Sequence, residues 1–145
     1  MYRFLDRPVA GLDPVDRLLI WSMRSWVAAI GSGRCPCSTL GPAFAGWRIQ
    51  GLLPDFNTAM MVLNTDGQGP LHFGPVACGR VGDDEAVLLA LFAGGLAGTD
   101  GQLRRIATQL AQPSAVSTLV TAVDRIAATL AHAPAVWDIP DAAKG

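Results

Sequence analysis

Between Gly82 and Gly98 the chain reads GDDEAVLLALFAGGLAG, and this stretch limits what the whole can fold into. Asp83, Asp84 and Glu85 are followed by twelve uncharged residues, Ala86 to Ala97, without a hydroxyl or amide side chain among them. Acidic residues in a first turn suit the positive end of a helix dipole. A helix apolar on every side requires burial on every side. At about 1.5 Å per residue the apolar part is roughly 18 Å long, short of the ~20 residues that cross a bilayer. The pattern predicts a central helix over about 83–97, enclosed by a soluble helical bundle. A re-entrant or membrane-dipping segment is the alternative. Gly94 and Gly95 would admit a close neighbouring helix or end this one.

The remaining segments supply the surrounding helices. Asp13 as cap and Pro14 as first helical residue open one that runs to Ile30, with Val15, Leu18, Leu19, Met23, Trp26, Val27 and Ile30 at helical spacing. Its other face carries Arg17, Trp21 and Arg24, neighbours at i−4 and i+3 about the indole. That trio reads as a cation–π stack on the surface, or as an anchor for a partner. Residues 31–42, GSGRCPCSTLGP, read as a loop, and a short helix is expected from Ala43 to Gln50 with Phe44 and Trp47 inward. Pro54 starts another, rich in Phe56, Met60, Met61 and Leu63. NTDGQGP at 64–70 is a turn-rich connection, and 71–81 is irregular or briefly extended. Thr99 and Gln102 stand at capping-box spacing ahead of Leu103, Ile106 and Leu110. A last helix, Ser114 to about Ala131, shows one apolar stripe through Val116, Leu119, Val123, Ile126 and Leu130. The fold class is therefore all-α, one domain over 1–145 with five to six helices, residues 1–12 and 134–145 being peripheral tails.

Charge excludes one class of partner. A net charge of −1 provides no basic field for nucleic acid. The N-terminal MYRFLDRPVAG lacks the apolar run of a signal peptide, so a reducing cytoplasm is expected and no membrane span. Cys35, Cys37 and Cys78 are then thiols or ligands rather than a disulfide framework. With His72 they form, on paper, a three-cysteine, one-histidine zinc set. The one-residue spacing of Cys35 and Cys37 is poor for zinc, and incidental thiols are the preferred reading. The acidic cluster Asp83, Asp84 and Glu85 reads as capping, since three consecutive carboxylates diverge around a helix. No phosphate loop is present, and neither His72 nor His132 has a nucleophile at motif spacing.

One resemblance bears on residues 69–85. Pro70, Leu71, Cys78, Gly82, Asp84 and Glu85, followed by an apolar helix, resemble a group of small alphaproteobacterial helical proteins of unknown function. Leu12, Leu18 and Trp26 in the early helix fit in outline. The group carries a histidine where this chain has Gly74 or Pro75, and a second cysteine where it has Arg80. Any ligand cluster built from those groups is broken here, or rebuilt from Cys35 and Cys37. The resemblance implies an all-helical fold and a bacterial cytoplasmic origin, and no activity.

Two function classes follow. The first is a non-catalytic regulatory or accessory protein acting through protein–protein contacts, without cofactor and self-associating as a homodimer, with Trp21, Arg17, Arg24 and Trp137 at the contact. The second is a metal-binding or thiol redox-sensing domain using Cys35, Cys37 and Cys78.

Overall fold

The twelve-residue apolar run folds as the inner helix of a six-helix arrangement. A computed structural model describes residues 2–133 and 137–140. Its α-helices are α1 (Pro14–Gly31), α2 (Pro36–Gly46), α3 (Leu52–Thr65), α4 (Asp83–Leu96), α5 (Asp100–Leu110) and α6 (Val116–Ala131). Among the described residues there is no strand, only isolated bridges between Pro8 and Arg80 and between Gly67 and Ala111. In α4, Leu88, Leu89, Leu91 and Phe92 are all buried, although they point to different sides of the helix. Such burial requires neighbours all round, which α1, α5, α6 and the N-terminal turn provide.

Both glycines of α4 serve close approach. A β-carbon on Gly95 would lie 2.9 Å from Cγ1 of Val123 on α6, and one on Gly94 would lie 3.4 Å from the Leu103 backbone on α5. Three helices therefore meet at one end of α4 with little side chain between them.

Several boundaries differ from the sequence expectations. α2 begins at Pro36, inside the stretch read as loop, and continues through Gly41 and Pro42. Proline lacks the N–H that would pair with the carbonyl one turn back. Leu40 and Phe44, one turn apart and both fully buried, offset that loss. α3 starts two residues before Pro54, at Leu52, whose side chain is also fully buried. The capping box at Thr99 does not form: the Thr99 hydroxyl turns back and donates to the Gly94 carbonyl at 3.2 Å, closing α4 instead of opening α5. Residues 2–12 are not a peripheral tail. They form two short 3-10 turns that bury Phe4, Val9 and Leu12.

The segment Pro113–Ala131 has the length and hydropathy of a membrane span. In this fold Leu119, Val123 and Ile126 form the buried face of α6 against α3 and α4, while Ser117, Thr118, Thr121, Asp124 and Arg125 on the other face are exposed.

Candidate functional site

Helical spacing alone puts Arg24 on the outer face of α1 with Trp21 and Arg17, and here the structure departs from that reading. Position 24 also lies one turn from Ile20 and nearly one turn from Val27, on a stripe that turns inward. Arg24 is buried to 1% exposure and its guanidinium meets Glu85, in the first turn of α4, equally buried. Nε donates to Oε2 at 2.7 Å and Nη2 to Oε1 at 2.9 Å, a bidentate pair. Two further guanidinium protons go to the loop before α4: Nη1 to the Cys78 carbonyl at 2.6 Å, Nη2 to that of Arg80 at 2.7 Å.

Glu85 in turn accepts the N–H of Gly74 at 3.0 Å and that of Gly82 at 2.8 Å. Burial alone would raise its carboxyl. The Arg24 hydrogen bonds, the Gly82 N–H, the Arg24 charge and the Gly74 N–H outweigh burial and hold the carboxyl below its ordinary value. Burial likewise opposes the charge on Arg24, and Glu85 more than restores it. The Glu85 carboxylate is filled by these four donors, and four of the five guanidinium N–H groups are paired.

This clasp fixes a wall. Beside it, Asp84 accepts the His72 N–H at 2.7 Å, and a β-carbon on Gly74 would sit 3.2 Å from that of Cys78 and 3.4 Å from Arg24 Nη2. The loop is pinned at 72 and 74, and in extended chain alternate residues share a face. Leu71 and Phe73 accordingly line one groove, while His72 is exposed. Trp26 and Val27 of α1 and Met60, Leu63 and Asn64 of α3 complete that groove, of about 300 Å³. Trp26 joins its two helical walls by donating from Nε1 to Asn57 Oδ1 at 2.9 Å. Of the large apolar side chains left exposed, Ile30 (41%) lies one turn from Val27 and Trp26, and Met61 (40%) one turn from Asn57 and Asn64. Helical spacing thus sets exposed apolar side chains next to the lining residues.

The four residues read as a contact patch do not make one. Arg24 and Trp137 are interior, Trp21 is half-buried with its edge on Trp47 (ring centroids 5.3 Å apart, planes at 73°), and Arg17 is half-buried. The enclosed Arg17 Nε and Trp137 Nε1 meet no acceptor among the described residues.

The alternative metal set is not assembled either. Among the described residues no three His, Cys, Asp or Glu side chains converge as ligands. Cys35 and Cys37 sit at the tip of α2, the Cys78 thiol donates to the Arg80 carbonyl at 3.5 Å, and His72 is held through its backbone.

What sequence reasoning missed is the pairing of Arg24, read as a contact residue, with Glu85, read as a cap; Glu85 does accept the Gly82 N–H as a cap would. A signal existed: Arg24 interrupts the Ile20–Val27 stripe, and Glu85 is the only glutamate in the chain. No protein-family profile matches this chain, and comparisons with curated proteins and with solved structures return no match.

Proposed function

We propose that this protein is a non-catalytic helical domain that works by contact with another protein, and that the contact is made at the groove between α1, α3 and the clasped loop. One observation carries the reading: one helical turn from the lining residues Trp26, Val27 and Asn64, the large apolar side chains of Ile30 and Met61 stand exposed. Closed pockets with a few convergent polar groups suit small ligands; an open apolar strip between helices suits the side chains of an amphipathic segment laid along it. Methionines favour such use, because their unbranched chains adapt to the incoming shape. A second copy of this chain is one candidate occupant. The four donors that fill the Glu85 carboxylate, and the four bonds made by Arg24, support a structural role for the only buried ion pair among the described residues.

The test is a four-way comparison. Ile30→Glu and Met61→Glu charge the rim, while Leu5→Glu and Leu96→Glu charge exposed apolar positions outside the groove lining. All four should change stability by no more than about 0.5 kcal/mol, as surface substitutions do. Light scattering and chemical cross-linking in native extract should show an associated protein, or a second copy, with the wild type and both control variants. The rim variants should lose it. Equal association in all five proteins, or none in any, removes the reading.

A further inference from the structure

The tip of α2 carries chemistry that the groove does not use. Cys35 precedes the first turn with extended backbone (φ −73°, ψ 120°), Pro36 takes the first helical position, and Cys37 follows. Only the dihedrals of Pro36 set the separation of the flanking α-carbons. For a helical residue that separation is about 5.4 Å, inside the roughly 4.4–6.8 Å that a disulfide spans. Cys35 is exposed and Cys37 half-buried, so one thiol is open to a reagent and the other waits behind it.

The local electrostatics divide the roles in the same way. The Ser38 N–H, then the Cys37 N–H and the Ser38 hydroxyl, lie around the Cys35 sulfur. None closes a capping bond of good geometry, yet together they hold the thiol below its ordinary 9.0. Cys37 is pushed up, by burial first and then by the charge of Cys35, which places the two sulfurs within each other's field. Cys78 is no part of this arrangement, since its thiol is engaged with the Arg80 carbonyl. The tip itself is fixed, because α2 packs on α1 and α3 through the fully buried Leu40 and Phe44.

We propose that Cys35 and Cys37 form a redox-active dithiol whose substrate is a small-molecule disulfide. The Cys35 thiolate attacks one sulfur of the substrate R–S–S–R, forming a Cys35–S–S–R mixed disulfide and expelling RS⁻, which takes a proton from water. Cys37 then loses its proton to solvent, and its thiolate attacks the Cys35 sulfur. The second RS⁻ leaves as the Cys35–Cys37 bond forms. The protein dithiol is oxidised by two electrons, and the substrate disulfide is reduced to two thiols. With only Pro36 between the cysteines the ring is small, so the oxidised form is readily reduced again by excess thiol.

Reduced full-length protein would be mixed with bis(2-hydroxyethyl) disulfide at neutral pH and followed by intact mass and peptide mapping. The wild type should lose two hydrogen atoms, with Cys35 linked to Cys37 and Cys78 still open to alkylation after unfolding. Cys37→Ser should accumulate the mixed disulfide on Cys35. Cys35→Ser should form its adduct at least about tenfold more slowly, its remaining tip thiol being half-buried and protonated. Wild-type protein that stops at the mixed disulfide, a Cys78 that reacts as fast as Cys35, or equal rates for the two serine variants would each overturn the proposal.

Discussion

A carboxylate at 1% exposure persists in an apolar interior only if its charge is answered, and that of Glu85 is answered by four N–H donors from three directions. Its folded-state value lies below 4.5, so the stabilisation is complete above pH 4.5 and is lost as pH falls through the lower, folded value. Glu85→Gln removes the charge while keeping the shape and leaves a buried guanidinium unpaired. The expected loss is about 3 kcal/mol at neutral pH. Urea titrations of both proteins should show that gap narrowing below pH ~4.5; a gap independent of pH would mean that the ion pair is not what Glu85 contributes. Many buried ion pairs can be replaced by apolar residues without loss. This one should not be replaceable. Arg24→Met combined with Glu85→Leu would orphan the N–H groups of Gly74 and Gly82 and the carbonyl of Cys78, leaving that of Arg80 only the Cys78 thiol. At ~1–3 kcal/mol for each group left buried and unbonded, the double variant should be no more stable than Glu85→Gln. Recovery of wild-type stability would show that water reaches those groups.

At the scale of the element, the same substitution takes opposite signs according to what stands opposite. Alanine exceeds glycine by roughly 0.5–1 kcal/mol in a helix interior. At Gly101 in α5 a β-carbon meets nothing within 4 Å, so Gly101→Ala should raise stability by about that amount. At Gly95 the new carbon would press on Val123 Cγ1 and, at 3.4 Å, on the Val123 carbonyl, so α6 must shift. Overpacking of this kind costs ~1–3 kcal/mol and outweighs the propensity gain. Thermal melts of the two variants should move in opposite directions. Helix starts were legible where the signal was local: Pro14 after Asp13 opens α1 as expected. Starts that depended on burial were not, as Leu52 and Pro36 show. Thr99 has the right letter for a cap, but its side chain turns away from the α5 N–H groups and donates to the Gly94 carbonyl.

The whole molecule is closed by α4. Because α1, α5, α6 and the N-terminal turn all pack on it, a charge at Leu91 has no solvent to turn to. Leu91→Asp should abolish the cooperative transition altogether, an unpaired buried charge costing a large part of a domain's net stability. Soluble Leu91→Asp protein with a sharp melt would refute the claim that α4 organises the fold. The clasp joins residues 61 positions apart and ties α1, the 72–82 loop and α4 into one unit. The groove exists only as a consequence, since Leu71 and Phe73 are held in place by what Asp84 and Glu85 accept.

What the chain's letters determined alone is the all-helical class, the position of α4 and the inward stripe of α6, because these rest on hydrophobic periodicity and run length, which are local. What only the tertiary structure decided is which polar groups go inside. Arg24 reads as a surface anchor, and three acidic residues read alike as caps. Their fates diverge because burial of a charge is settled by the partner it meets. For Arg24 that partner is 61 residues away. Local spacing shows which face of a helix a residue occupies, but not which face the rest of the molecule will cover.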